Sequence, residues 1–151
     1  IAFSPNGNHL ISGGFDNKLK LWDVHKKQCI QIFEEHEDRI LTVAFHPEGL
    51  VFASSGHDKT IRLWSLESKE SFRILQGHKG AVESIMFSPK GGTLVSSSQD
   101  QTIKLWDIIT GKCLDNIEIS SKPYEGMKIA GVRGLTDTQK ATLVDLGAVS
   151  D

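Results

Sequence analysis

The stretch FHPEGLVFASSGHDKTIRLWS, from Phe45 to Ser65, decides the fold because close copies of it stand on either side. FSPNGNHLISGGFDNKLKLWD runs from Phe3 to Asp23, and FSPKGGTLVSSSQDQTIKLWD runs from Phe87 to Asp107. Each copy begins 42 residues after the one before it. A constant interval of this size indicates a repeat architecture in which each copy forms one supersecondary unit.

The matched positions carry residues suited to turns, hydrogen bonds and packing. They are Pro5, Pro47 and Pro89; Gly7, Gly49 and Gly91; Ser12, Ser54 and Ser96; Asp16, Asp58 and Asp100; and Trp22, Trp64 and Trp106. His36 and His78 share the same spacing. Since all three tryptophans of the chain lie on this interval, the repeat dominates the sequence.

The pattern inside each copy predicts four short strands. Apolar runs at 40–45 and 82–87, each ended by a Pro-x-Gly turn, are typical of buried inner strands. The alternation at 60–64 and 102–106 is typical of half-buried third strands. Second strands are predicted at 50–54 and 92–96, and fourth strands at 29–33, 71–75 and 113–117. Helical periodicity is absent before the C-terminal tail.

The three copies resemble the WD repeat, over residues 1 to about 119. Gly77-His78 opens the third unit, and Trp22-Asp23 and Trp106-Asp107 close the first and third. The middle unit departs from the family pattern with Glu35-His36 and Trp64-Ser65. The resemblance implies an all-β fold, a β-propeller of four-stranded antiparallel blades, here present as about three blades with a short C-terminal helix.

The expected organisation is a truncated blade at 1–34, blades at 35–76 and 77–119, and a tail at 120–151. Propellers have about four to eight blades, so three units leave strand edges unpaired. We expect the remaining blades upstream in a longer chain, with self-association as the alternative source.

Several repeated polar residues have the types found in a catalytic triad. His36, Ser54 and Asp58 are one such set, but His78, Ser96 and Asp100 repeat it one unit later. A chemistry that needs one activated serine gives no reason for this copying, whereas a structural role does. The resemblance implies a buried hydrogen-bonded chain that includes Trp64 and Trp106, with Ser12, Asp16 and Trp22 as an incomplete version in the first unit.

The resemblance also implies that exposed residues beside these polar chains, on the face whose loops the rigid scaffold presents, make the partner contacts. The candidates are Phe15, Arg39, Leu41, His57, Ala81, Glu83 and Gln99. Phe15 and Arg39 are the preferred anchors because aromatic residues and arginine are enriched at binding hot spots. The alternative is that all seven are ordinary loop residues.

Composition excludes several other classes of protein. The net charge of −2 provides no basic surface for nucleic acid or an anionic membrane, and no apolar run is long enough to span a bilayer.

Two cysteines are too few for a disulfide framework, which favours a reducing, cytoplasmic location. His9, His25, His46 and His57 do not recur and are interpreted as solvated loop residues, so no metal site or cofactor is expected.

The tail after Ile119 differs in composition. Ser120 to Pro123 reads as a break, and Thr136 with Gln139 forms the sequence pattern of a capping box for a short helix that Gly147 closes. We expect this helix, with Leu135, Leu143 and Leu146, to pack on the last blade. The tail resembles those that follow the final repeat in bacterial, especially cyanobacterial, WD-repeat proteins, some of which carry upstream NACHT or NB-ARC switch domains. That resemblance implies that Asp151 lies near the natural C-terminus.

The function predicted from these features is a non-catalytic scaffold or sensor module that binds other proteins within a larger signalling protein. The alternative is a targeting propeller attached to an upstream enzyme domain such as a kinase or protease. A Walker-type phosphate loop upstream favours the first, and a kinase HRD/DFG set favours the second.

Overall fold

A computed structural model describes residues 1–118, 128, 136–145 and 148–149. The chain divides into two compact units, Ile1–Glu118 and Ile119–Asp151. Within the first unit, three antiparallel sheets of four strands each confirm the predicted all-β fold. In every sheet the strands lie side by side in chain order. We call these sheets blades 1, 2 and 3.

The strand bounds follow the 42-residue interval. Blade 1 contains β1 (Ala2–Phe3), β2 (His9–Gly13), β3 (Leu19–Asp23) and β4 (Gln28–Phe33). Blade 2 contains β5 (Ile40–Phe45), β6 (Val51–Gly56), β7 (Ile61–Ser65) and β8 (Ser71–Leu75). Blade 3 contains β9 (Val82–Phe87), β10 (Thr93–Ser98), β11 (Thr102–Asp107) and β12 (Cys113–Glu118).

The second strand of each complete blade extends further than its apolar residues indicate. β6 starts one residue after the predicted start because Gly49, with φ of +78°, and Leu50 belong to the preceding turn. It continues to Gly56, which pairs with Ile40 of β5. A side chain at position 56 would meet the Arg39 carbonyl oxygen, so the close approach of the two strands requires glycine here.

The turns between second and third strands repeat the same backbone geometry. Asn17, Lys59 and Gln101 follow the three aspartates, and their φ angles are +63°, +64° and +65°. Residues other than glycine rarely adopt this left-handed backbone region unless the turn requires it. The interval therefore repeats local backbone conformation as well as residue type.

The hydrophobic core lies between successive blades. Trp64 of blade 2 packs against Phe33 of blade 1, with ring centroids 5.1 Å apart, and stacks on Phe52 of its own blade at 5.9 Å. Trp106 of blade 3 belongs in the same way to a cluster with Ala53 and other residues of blade 2. Each blade is thus stabilised by the apolar face of its neighbour.

The antiparallel topology gives the sheets two distinct ends. The end formed by residues 14–18, 34–39, 57–60, 76–81 and 99–101 carries the repeated aspartates, and we call it the Asp end. The opposite end, formed by residues 4–8, 24–27, 46–50, 66–70, 88–92 and 108–112, carries the repeated prolines, and we call it the Pro end. Thr110 to Lys112 lies in the Pro-end turn that joins β11 to β12.

The second unit contains α1 (Asp137–Asp145). The Thr136 N–H donates to Gln139 Oε1 at 2.9 Å, and the Gln139 N–H donates to Thr136 Oγ1 at 3.2 Å. This reciprocal pair is the predicted capping box. Among the described residues, no helix has the length and apolar character needed to cross a membrane. The predictions for residues 120–123, Leu135, Leu146 and Gly147 concern residues outside the described part of the chain.

Candidate functional site

Blade 2 contains a continuous chain of polar side chains. His36, in the loop before β5, bonds through Nδ1 to Asp58 Oδ2 at 2.6 Å and through Nε2 to Ser54 Oγ at 2.6 Å. The indole N–H of Trp64 donates to the same Ser54 oxygen at 2.8 Å. If Nδ1 carries the imidazole proton, each donor in the chain meets one acceptor. The chain therefore links a loop, the second strand and the third strand.

Blade 3 repeats this arrangement at nearly the same distances. His78 Nδ1 lies 3.0 Å from Asp100 Oδ2, and His78 Nε2 lies 2.7 Å from Ser96 Oγ. Trp106 Nε1 donates to Ser96 Oγ at 2.8 Å. The two polar chains are thus two copies of one arrangement.

Each aspartate also holds a threonine and backbone groups, a role that sequence reasoning missed. Thr60 donates through its hydroxyl to Asp58 Oδ1 at 2.9 Å, and Thr102 donates to Asp100 Oδ1 at 2.6 Å. The Lys79 N–H donates to Asp100 Oδ2 at 2.7 Å. The matched spacing of Thr60 and Thr102 was a signal that could have identified them.

The pKa of Asp58 reflects these contacts. Burial alone raises this pKa, but hydrogen bonds from His36 and Thr60, together with the electrostatic effect of His36, outweigh burial and lower it to about 2. For Asp100, burial also raises the pKa, and bonds from Thr102 and the Lys79 N–H reverse the effect and lower it. Both carboxyl groups are therefore ionised acceptors at neutral pH.

Blade 1 holds only part of the arrangement. Trp22 Nε1 donates to Ser12 Oγ at 3.0 Å, but Asp16 instead accepts from Lys20 Nζ at 3.3 Å. Asp16 is exposed and Trp22 is half-buried, whereas Trp64 and Trp106 are fully buried. Blade 1 therefore contains the serine–indole bond without the histidine.

The accessibility of the serines limits what the polar chains can do chemically. Ser54 is 0% exposed and Ser96 is 1% exposed. Each hydroxyl is bonded to both an imidazole and an indole. A substrate carbonyl cannot reach either oxygen in this arrangement. The polar chains therefore give each buried polar group a hydrogen-bond partner. Without a partner, each group would lower the stability of the fold by about 1–3 kcal/mol.

The departure at Glu35 has a structural counterpart. Glu35 Oε2 accepts from Arg62 Nη1 at 3.1 Å and also from the Ser71 hydroxyl. Arg62 is a buried residue on β7, so the Glu35 carboxylate offsets its charge. The carboxylate thus connects the loop before β5 to the third and fourth strands of blade 2.

Phe15 and Arg39 form a contact across the boundary between blades 1 and 2. The guanidinium carbon of Arg39 lies 5.3 Å from the centroid of the Phe15 ring, within cation–π range. Phe15 is 72% exposed, and Arg39 is also exposed. Below the pair, the Ile40 N–H donates to the Gly14 carbonyl at 3.1 Å and fixes the two loops together.

The other candidate contacts differ in exposure. Gln99 and Glu83 are exposed and bonded to each other, Nε2 to Oε1, at 2.9 Å. Leu41 and His57 are half-buried. Ala81 is only 5% exposed, so the expectation of an exposed side chain is wrong there. The Gln99 N–H donates to the Ala81 carbonyl and brings the turn after β10 over that residue.

His46 also differs from the interpretation as a solvated loop residue. It is buried, its Nδ1 accepts from the Glu48 N–H at 3.2 Å, and its Nε2 lies 3.2 Å from the Gly91 carbonyl oxygen of blade 3. The ring packs edge-on against Phe87 at 5.3 Å. His46 therefore joins two blades. His9 lies in strand β2 instead of a loop.

Comparison with known families agrees with this geometry. The family described as "WD domain, G-beta repeat" matches residues 1–23, 27–65 and 69–107. The chain belongs to the WD-repeat family. The match at 27–65 contains β4 of blade 1 followed by β5, β6 and β7 of blade 2. A WD repeat in this chain therefore spans two blades and connects them covalently.

Individual WD-repeat proteins match shorter segments. The chain is 46% identical to cell division control protein 4 of Saccharomyces cerevisiae over 37 residues, which is 24% of this chain and 5% of that protein. It is 41% identical to human striatin over 39 residues, covering 26% and 5%. It is 37% identical to the periodic tryptophan protein 2 homolog of Dictyostelium discoideum over 43 residues, covering 28% and 5%. The chain thus matches only a small part of the length of these curated relatives.

Proposed function

We propose that the WD-repeat unit is a non-catalytic scaffold that binds another protein through the loops at its Asp end. WD repeats generally serve as protein-binding scaffolds, and loops on a rigid framework are the usual place for such contacts. The exposed Phe15 ring under the Arg39 guanidinium is the observation that carries this proposal.

The Phe15–Arg39 pair has the properties of a preformed anchor. Both residue types are enriched at protein–protein interfaces, and arginine is also enriched among the residues that contribute most to binding energy. The ring and the guanidinium already contact each other, so little side-chain freedom remains to be lost on binding. Glu83 and Gln99, which bond to each other on blade 3, provide polar contacts for the edge of the same surface.

In this proposal the polar chains have a structural role and no catalytic role. The Ser54 and Ser96 hydroxyls are enclosed, and the repeated sets stabilise blades 2 and 3 at the same points. The net charge of −2 favours a protein partner over nucleic acid or an anionic membrane.

Further blades of a longer protein would complete the surface. Trp64 and Trp106 are 0% and 2% exposed because a preceding blade covers each of them, whereas Trp22 on blade 1 is half-exposed. A blade on this face would cover Trp22 in the same manner. The larger protein that we propose is a bacterial, cytoplasmic signalling protein in which the WD repeats act as scaffold or sensor.

Affinity capture with the full chain, followed by a dissociation constant for the purified partner, tests the binding surface. The double variant Phe15→Ala with Arg39→Ala should weaken binding at least tenfold, because it removes the anchor and leaves the core intact. Ile32→Ala, an exposed apolar change on β4, is the matched control and should leave the affinity unchanged. Equal affinity of the double variant and the wild type would refute the proposal.

A further inference from the structure

An open cleft of about 400 Å³ lies between blades 2 and 3 at the Pro end, at the opposite end of the strands from the proposed binding loops. Apolar and basic side chains dominate its walls, which include Leu50, Phe72, Arg73, Lys90, Gly92 and Ile109. Leu50, Phe72 and Ile109 are 67%, 50% and 77% exposed. A cluster of large apolar side chains in water on both sides of one cleft is typical of an interaction site.

The repeat provides an internal reference for this cleft. The junction between blades 1 and 2 has the same positions 42 residues earlier, but Asn8 and Glu67 stand where the cleft has Leu50 and Ile109. Glu48 stands likewise where the cleft has Lys90. Since that junction also packs around a continuous core, the fold does not require apolar or basic residues at these positions. Their presence at the second junction therefore calls for a reason other than folding.

Gly92 opens the space of the cleft. The corresponding position at the first junction is Leu50, whereas a side-chain carbon added at Gly92 would meet no atom within 4 Å. Unlike its neighbour Gly91, Gly92 does not have a positive φ angle, so the backbone does not demand glycine. The missing side chain leaves room for a ligand group.

The charges at the cleft favour an acidic ligand. Arg73 Nη1 donates to the Thr110 carbonyl at 2.9 Å, which holds the guanidinium beside the apolar wall. Lys90 adds a second positive charge, and Glu48 is the one carboxylate among the lining residues. The His46 ring at the base of the cleft accepts the Glu48 N–H through Nδ1, which requires that nitrogen to be unprotonated. The net charge of the lining is therefore positive.

From the apolar walls, the open space and the positive charge together, we infer that the cleft binds a short peptide segment of a second partner. The segment carries bulky apolar side chains next to aspartate or glutamate. The apolar side chains contact Leu50, Phe72 and Ile109, and the acidic group pairs with Lys90 or Arg73. This site is separate from the Phe15–Arg39 surface, so either one can fail a test without the other.

Panning a displayed library of random eight-residue peptides against the full chain tests the inference. Enriched sequences should combine bulky apolar residues with aspartate or glutamate. The dissociation constant of an enriched synthetic peptide should rise at least tenfold in Gly92→Leu, which fills the cleft, and at least threefold in Lys90→Glu, which reverses its charge. The melting temperatures should match the wild type, because both new residues already occupy the equivalent positions at the first junction. Phe15→Ala, at the other end, should not change the dissociation constant.

Several results would overturn the inference. In one, the panning enriches no peptide, and in another it enriches basic or wholly polar sequences. In a third, Gly92→Leu leaves the peptide affinity unchanged. Sedimentation that shows a dimer of the wild type and a monomer of Gly92→Leu would assign the cleft to a second copy of the chain. Faster amide exchange at 136–145 in Gly92→Leu would assign it to the chain's own C-terminal unit.

Discussion

Ser96 joins two side chains of blade 3 through a single oxygen atom. The Ser96→Ala variant leaves Trp106 Nε1 and His78 Nε2 without their partner in a buried position. We expect the free energy of unfolding to fall by about 2 kcal/mol or more, since each buried unsatisfied group costs about 1–3 kcal/mol. Urea denaturation of the wild type and the variant measures the difference.

Ser12→Ala is the matched control for this change. Ser12→Ala removes the acceptor of one group, the Trp22 indole N–H, and both residues are half-buried. The free energy of unfolding should therefore fall clearly less than in Ser96→Ala. A Ser96→Ala variant that lost a hydrolytic activity without any change in melting temperature would contradict the structural role.

Sequence reasoning identified most of the residues that the repeat copies, although it missed the role of Thr60 and Thr102. It also missed contacts made by residues that occur once. Ser54, Asp58 and Trp64 were predictable because their spacing marks them. His46 has no counterpart, and its partner Gly91 comes close only when blades 2 and 3 pack together. Likewise, no local sequence pattern predicts the contact between Phe15 and Arg39, because the two residues belong to loops at different blades.

Asp58 connects two elements of blade 2. Its carboxylate accepts from His36 in the loop before β5 and from Thr60 in the turn before β7. Its pKa in the folded protein is about 2, below its usual value of 3.8. A carboxyl whose pKa is lowered by folding adds stability above its unfolded pKa and loses it as the pH falls through the folded pKa. The stabilisation should therefore disappear between about pH 4 and about pH 2.

Comparison of the wild type with Asp58→Asn checks this dependence. The asparagine cannot ionise, so the free energy of unfolding should be lower than that of the wild type at neutral pH, and the difference should shrink as the pH falls below the usual aspartate value. Urea titrations at a series of pH values measure it. A difference that stays constant throughout the acid range would show that the Asp58 charge does not stabilise the fold.

The elements themselves were predicted better than their ends. β5, β8 and β9 have the predicted bounds, because apolar residues mark both ends of β5 and β9 and make up most of β8. β6 and β10 extend into serine and glycine, whose side chains carry no strand pattern, and pairing with the neighbouring strands determines where they end. Turn conformation and strand pairing therefore determine the strand ends that the alternation of residues does not indicate.

For the whole molecule, the main consequence of the repeat is that the blades support one another. The core clusters lie between blades 1 and 2 and between blades 2 and 3, so the rigidity of the loops at each end depends on blade contacts. The two ends carry different chemistry: an aromatic–cation pair at the Asp end, and an apolar cleft with positive charge at the Pro end. We therefore propose that the molecule holds two different partners at opposite ends of its strands.

Amide hydrogen exchange of the full chain, measured with and without the captured partner, shows whether the Asp end binds that protein. We predict slower exchange in the partner complex at residues 14–18, 37–41 and 57–60 on blades 1 and 2, with smaller effects at 81–83 and 99–101 on blade 3. Exchange at the Pro-end residues 66–70 should not change. Protection confined to the Pro end, or no protection at the Asp end, would contradict binding through the Asp-end loops.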